Sequence, residues 1–535
     1  MKKKSKLSKV LALCLAMVMV FAMSVPAFAA ISDQTTGNFT ITGFDTTPAP
    51  TVSAYQIITV NVADNGQPEY PMYTWVDAVA NWVTANYSTY IDQNLGTNAV
   101  ADAFENADAA DVSQFLERMT AAIKNGTITG INPTVVTASN GEAAFTNMAM
   151  GEYLITANGG VKIYQPTTVK LVPEYNEETN EWNLANAVIG TAGTMKSVTP
   201  DIPDKDASTE DSDKTVAIGD TVTYTLTVNV PSYPADATNT KFEVSDALSA
   251  GLTFNGTNTI HVYSDADLTM EIPNTNYSVT APSGNRTFLI AFNQAFTTGY
   301  AGDTLYITYT ATVNENAFEE DALGNDAFLG YNNDPYTDED YETPGTHEDV
   351  YTYGINLTKI NEENTALQGA QFTLSDQQGT ELKFTETTTD GVYKYDPAAG
   401  NTVLEVSADG VLQLQGLDEG TYKLKETKAP DDYVLPTGEI TIVITDQDGA
   451  GGTANGAIDQ INVSKTGTIE FDNETLMGTK NNIVDLDVIN TSAADAGFQL
   501  PTTGGMGTMI FTILGVLLMA GAVTMVVVIS RKKRA

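Results

Sequence analysis

The chain has 535 residues, a formal net charge of −41, one cysteine and two histidines. Hydrophobic residues at 42% and aromatics at 9% are enough to build cores, which excludes an acidic disordered tail, and the length suggests about three or four domains. Acids outnumber bases 67 to 26, which excludes nucleic acid as a partner, and His261 and His347 alone leave little for histidine-based metal or acid–base chemistry.

At the N-terminus, Lys2, Lys3, Lys4, Lys6 and Lys9 precede an apolar run from Val10 to Val25 and the small-x-small site Ala27-Phe28-Ala29. Residues 1–29 read as a secretory signal peptide. Cys14 lies inside its apolar core; Leu13 before it is too large for a lipoprotein site. The mature chain is therefore exported without any cysteine and cannot be reinforced by disulfides.

Residues 30–195 predict a β-sandwich with a helical insertion. Strands are expected at Phe39–Thr42, Val52–Val60, Gly151–Ile155 and Thr167–Val172, and helices at Tyr73–Tyr90 and Ala109–Lys124. In the second helix Val112, Phe115, Leu116, Met119 and Ile123 form one apolar stripe, and Gly126 supplies a stop. Residues 196–345 read as almost purely β. Val222, Tyr224, Leu226, Val228 and Val230 alternate with polar residues, and Leu305–Tyr309 repeats the pattern. Residues 336–350, acidic with Pro344 and Gly345, read as a linker or solvated charge run; a calcium loop would need a more regular ligand spacing. Residues 351–490 form a second all-β unit, and 491–499 are a small, polar spacer. The fold class is all-β: tandem Ig-like sandwiches, with a C-terminal transmembrane helix in the precursor.

No Walker loop, HExxH or nucleophile elbow is present, so neither turnover, a cofactor nor a metal is expected. The C-terminus is more specific. Leu500-Pro501-Thr502-Thr503-Gly504 precedes 21 uncharged residues, Met509 to Ile529, long enough to span a bilayer. Arg531-Lys532-Lys533-Arg534 would stay cytoplasmic. The order over residues 500–535 resembles the cell-wall sorting signal of Gram-positive bacteria. The resemblance implies that a sortase cleaves between Thr503 and Gly504 and holds Thr503 as a thioester until an amine attacks. Removal of both ends leaves 17 bases against 67 acids, a net charge of −50 on the exported part.

A wider resemblance rests on Leu357-Thr358-Lys359, Gly369–Leu374, the stretch Gly420-Thr421-Tyr422-Lys423-Leu424-Lys425-Glu426-Thr427-Lys428-Ala429-Pro430, and Val488-Ile489-Asn490. The long stretch resembles the pilin E-box. In the middle region the matching pieces are Ile202-Pro203-Asp204-Lys205, Ser245–Leu252 and Asn325–Tyr331. Together they resemble the major subunits of sortase-assembled Gram-positive pili, built from CnaA-like (196–345) and CnaB-like (351–490) Ig domains.

The resemblance implies two intramolecular isopeptide bonds, Lys205 to Asn325 promoted by Asp246, and Lys359 to Asn490 promoted by Glu426. Burial supplies the physical logic: it lowers a lysine pKa toward the free amine and raises that of a carboxyl, which then stays protonated. No lysine occurs before Lys124 in the first domain, so no such bond is expected there.

Polymerisation also needs an acceptor lysine for Thr503. The family's motif is matched only in degenerate form, from Trp182 to Lys196; Lys196 is expected, with Lys170 the alternative. The resemblance thus implies a secreted, peptidoglycan-anchored fimbrial shaft subunit, transiently membrane-inserted as precursor. Its partners would be pilus-class and housekeeping sortases, identical subunits joined head to tail, peptidoglycan and minor pilins. A monomeric wall-anchored adhesin is the rival reading, since it would need no acceptor lysine.

Overall fold

The computed structural model describes residues 31–494 apart from 97, 185–190, 210–213, 282–283, 320–321, 338, 447–453, 459–461 and 473–481. The signal peptide, the sorting signal Leu500–Gly504 and the apolar run Met509–Ile529 lie outside the described residues. Among the described residues no helix is long and apolar enough to cross a membrane. The chain divides into two compact units. One takes the residues up to 210 with 221–312 and 323–349; the other takes 211–220, 313–322 and 350 onward. Two short stretches of the range read as the middle domain therefore belong to the second unit.

In residues 31–200, Thr51–Val62 and Gly151–Asn158 lie at the centre of a five-stranded sheet flanked by Pro68–Trp75 and Thr167–Leu171. A smaller sheet has Thr36–Thr42 between Glu142–Ala149 and Thr191–Thr194. Phe39, Ile41, Val52, Phe145, Tyr153 and Ile155 fill the space between them. The insertion packs on the large sheet through a second core that includes Trp75, Val79, Val83, Phe104, Phe115 and Met119.

Helix Ala109–Lys124 begins at Asp108, whose carboxylate accepts the Ala110 and Asp111 amides, and its expected stripe faces inward. The first expected helix is shorter than its spacing suggested. Tyr73, Thr74 and Trp75 pair with Val60, Thr59 and Ile58, so the helix spans only Asp77–Asn86. Aromatic and β-branched side chains at 73–75 gain more from cross-strand pairing than from a helical turn.

The middle region is a two-sheet sandwich. One sheet runs Asp204–Ser208, Thr221–Asn229, Thr304–Val313, Leu252–Phe254, with His261–Tyr263 also on Thr304–Val313. The other runs Tyr277–Thr280, Phe288–Phe292, Phe242–Leu248, Leu323–Asp334, Glu339–Glu342. The acidic run expected to be a linker is instead folded. Glu339–Glu342 and Thr346–Val350 both pair with Leu323–Asp334. Its charges are answered locally: Lys241 bonds Asp340, Arg286 bonds Glu342, His347 bonds Asp326 and Asp349, and Tyr341 packs on Tyr331. Charge composition announces solvation; these partners come from distant strands and are invisible locally.

In the second unit, one sheet orders Phe384–Glu386, Val392–Tyr395, Val411–Leu417, Tyr353–Asn361, Ile483–Asn490, Glu470–Asp472. The facing sheet orders Leu404–Glu405, Gln371–Ser375, Gly420–Lys428, Ile440–Ile444, Asn462–Lys465. Tyr353–Asn361 and Ile483–Asn490, the first and last strands of this region, run parallel and side by side.

Candidate functional site: two buried lysine–acid–asparagine clusters

The alternation of Asp204–Ser208 turns Lys205 and Ala207 inward while their neighbours face solvent. Lys205 sits opposite Leu226 on Thr221–Asn229, with its ammonium nitrogen 5.3 Å from the centre of the Tyr224 ring. Across the sandwich, Phe242–Leu248 and Leu323–Asp334 are paired so that Asp246 faces Ala327 and Leu248 faces Asn325. This makes Asp246 and Asn325 diagonal neighbours on one inner face. Lys205 Nζ reaches over to Asp246 Oδ2 at 2.9 Å. Tyr309, turned inward from Thr304–Val313, donates its hydroxyl to the same Oδ2 and accepts from Asn325 Nδ2 at 2.8 Å.

The second cluster has a different geometry. Lys359 and Asn490 lie on adjacent parallel strands of one sheet, where Lys359 pairs with Val488 and Asn361 with Asn490. Lys359 Nζ donates to the Val488 carbonyl at 2.8 Å and lies 4.0 Å from Glu426 Oε2. Glu426 comes from the facing sheet on Gly420–Lys428, and its Oε1 accepts from Asn490 Nδ2 at 2.7 Å.

All six residues are sequestered: Lys205 is 6% exposed, Asp246 and Asn325 0%, Lys359 0%, Glu426 3% and Asn490 2%. Burial drives every ionisable group among them toward its neutral form. It lowers Lys205, against the pull of Asp246, and lowers Lys359 to about 8. It raises Asp246 and Glu426, against the opposing lysines. The 2.9 Å Lys205–Asp246 contact would suit an ion pair equally well. With no solvent at either end, an amine hydrogen-bonded to a protonated acid removes the cost of burying two charges. Four oxygens, Asp246 Oδ1, Asn325 Oδ1, Glu426 Oε2 and Asn490 Oδ1, are buried without a hydrogen-bond partner. One carboxyl oxygen and one amide carbonyl oxygen per cluster match the donor and acceptor that protonating each acid would supply.

Each expected lysine–acid–asparagine set is thus brought to one place. Tyr309 was not singled out from sequence. Its inward phase was legible in the alternation of Leu305–Tyr309, but its hydrogen-bond partners come from two other strands.

The two candidate acceptor lysines lie in the first unit. Lys196 is exposed, between Thr191–Thr194 and Ser197–Val198, with its carbonyl accepting from Gln165 N at 2.9 Å. The preceding strand runs parallel to Thr36–Thr42, and Met195 behind it is buried. Lys170 lies on Thr167–Leu171, its amine 3.6 Å from the buried Glu152 carboxylate. Among the described residues no cluster of acidic, histidine or cysteine side chains is arranged to hold a metal.

Comparison with known proteins bears on the fold and on the wall anchor. Residues 354–456 match the SpaA prealbumin-like fold domain, and 492–535 match the LPXTG cell wall anchor motif. The chain is 25% identical to the trypsin-resistant surface T6 protein of Streptococcus pyogenes serotype M6, covering 97% of this chain and 99% of the relative. It is 25% identical to the type 1 fimbrial subunit of Actinomyces viscosus over 75% of this chain and 76% of that one. Among solved structures it resembles the T6 backbone pilin of S. pyogenes, with a TM-score of 0.55 and 20% identity, covering 86% of this chain and 99% of the other.

Proposed function

We propose that this chain, a sortase-assembled Gram-positive major pilin anchored to the cell wall, is the repeating shaft subunit of a covalent fibre and is hardened by two internal isopeptide bonds. The observation that carries the reading is the pair of buried lysine–acid–asparagine clusters. In each, the neutral lysine nitrogen adds to the asparagine Cγ, the C–N bond of the amide breaks, and ammonia leaves. The protonated acid polarises the carbonyl, and the packed core replaces a bimolecular encounter. The event happens once per site and is not turnover.

Between subunits, Thr503 is released from Gly504 as a sortase thioester, and the Lys196 amine of the next subunit takes it. Position favours Lys196 over Lys170: it is exposed at the end of the first domain, nine residues before Lys205.

Tandem mass spectrometry of purified fibres tests all three linkages together. Peptides joining 205 to 325, 359 to 490 and 503 to 196 are expected, and the mature monomer should weigh about 34 Da less than its sequence. Unmodified amines at all three lysines would overturn the reading. Lys196→Ala should abolish the high-mass ladder on denaturing gels. A surviving ladder moves the acceptor elsewhere, and an absent ladder in wild type favours a monomeric adhesin.

A further inference from the structure

The two clusters deliver the asparagine amide differently. In the second unit Asn490 Nδ2 donates directly to Glu426. In the middle domain Asn325 Nδ2 donates instead to the Tyr309 hydroxyl, and that hydroxyl donates to Asp246. The nitrogen that must leave as ammonia therefore meets a phenol, and the acid stands one hydrogen bond behind it. We propose that Tyr309 is a catalytic residue of the Lys205–Asn325 cross-link, relaying a proton from Asp246 to the departing amide nitrogen. The inference rests on the cross-linking reading above.

The surroundings hold the relay in place. Tyr309 is fully buried and its ring stacks on Tyr224, centroids 5.4 Å apart, and meets Phe288 edge-on at 4.8 Å. These rings hold the hydroxyl in place and keep water from substituting for it. The hydroxyl is a weak acid here, its pKa pushed well up by burial and by Asp246. It carries a proton in and out rather than standing ionised.

The proton balance closes. The reactive form has a neutral Lys205 amine and a protonated Asp246. When the lysine nitrogen bonds to Asn325 Cγ, the carbonyl electron pair moves onto Asn325 Oδ1, which takes the Asp246 acid proton and leaves Asp246 a carboxylate. Asp246 Oδ2, which already accepts from Lys205, takes a proton from the new ammonium nitrogen. The amide nitrogen, no longer conjugated, now has a free lone pair. It takes the Tyr309 proton, and Tyr309 refills from Asp246 Oδ2. The C–Nδ2 bond breaks as the Asn325 Oδ1 hydroxyl returns its proton to Asp246, the carbonyl re-forms and ammonia departs. One proton has moved from lysine to ammonia, and Asp246 and Tyr309 end as they began.

The test follows ammonia loss in freshly translated mature chain by intact mass and linked-peptide mapping, with the Lys359–Asn490 bond as internal standard. Tyr309→Phe keeps the ring and removes the relay, so the 205–325 link should form about a hundredfold more slowly while the 359–490 link keeps its wild-type rate. Placing 3-fluorotyrosine at 309 preserves shape and folding but acidifies the hydroxyl. It should move the pH profile of 205–325 bond formation to lower pH, which a merely structural tyrosine would not do. Wild-type rate in Tyr309→Phe with an unmoved fluorotyrosine profile overturns the relay alone. No 205–325 link in wild type overturns the cross-linking reading itself, and the relay with it.

Discussion

Lys359 has no solvent exposure, and burial, which penalises the ammonium, lowers its amine to about 8. Neither cause of its shift involves Asn490, so Asn490→Ala should leave the amine uncoupled and still perturbed. Its folded pKa then lies below the unfolded value of 10.5. Between those values the unfolded chain binds more protons, so stability rises as the pH climbs from about 8, by up to about 1.4 kcal/mol per pH unit. Glu426 has the opposite sign: raised by burial, it favours folding at acid pH and loses that contribution as the pH rises through the carboxylate range. Denaturant titrations of Asn490→Ala between neutral and alkaline pH check the first slope. Wild type, its amine consumed, should show no such rise, and a flat variant curve would contradict a free buried amine.

At the scale of elements, Asp204–Ser208 is one of the short edges of its sandwich. It is a five-residue edge strand paired on one side only, to Thr221–Asn229. A covalent bond from Lys205 into the opposite sheet holds it more firmly than five residues of ladder can. Lys205→Ala should therefore speed hydrogen exchange at residues 204–208 while strands such as Phe288–Phe292 stay protected; equal protection would mean that the bond adds nothing there.

The strand Thr346–Val350 adds a charge contact to its ladder. The two ring nitrogens of His347 lie 2.8 Å from the carboxylates of Asp326 and Asp349. The Asp326 bond raises its pKa above 6.5, so the stability is fully present below 6.5 and fades as the pH rises through the folded value. The group is half exposed, so the contribution stays below about 1 kcal/mol. NMR titration should place His347 above 6.5, and Asp326→Asn should bring it down.

Over the whole molecule, the proposed bonds define a route for tension. Force enters at Lys196, crosses from Lys205 to Asn325, continues to Lys359, crosses to Asn490 and leaves through Thr503. Residues 206–324 and 360–489 are bypassed and cannot lengthen. Residues 31–195 precede the point of entry and carry no load, which fits the absence of lysine before Lys124 in that domain. Pulling single molecules between Lys196 and the C-terminus should reveal about 400 Å of extra contour in Lys205→Ala and a similar amount in Lys359→Ala, with neither length released in wild type. Release of either length from wild type would mean that the bond is absent. By chain entropy each closure also stabilises its domain by about 5 kcal/mol.

Much was legible because it depends on local order. Strand alternation at 222–230, the apolar stripe of Ala109–Lys124 and the sorting motif are all properties of consecutive residues. The two lysine–acid–asparagine sets were reached through resemblance, since their members lie up to 131 positions apart. The acidic stretch 336–350 misled because composition reports charge and not the partners that neutralise it. The amino-acid order by itself determined export, wall anchoring, an all-β chain and the absence of disulfides. Only the tertiary structure decided that Lys205 crosses between sheets while Lys359 stays within one, and that Tyr309 stands between Asp246 and Asn325. Alternation along a strand says which face a side chain takes; what it meets there depends on the register and packing of strands far away in the chain.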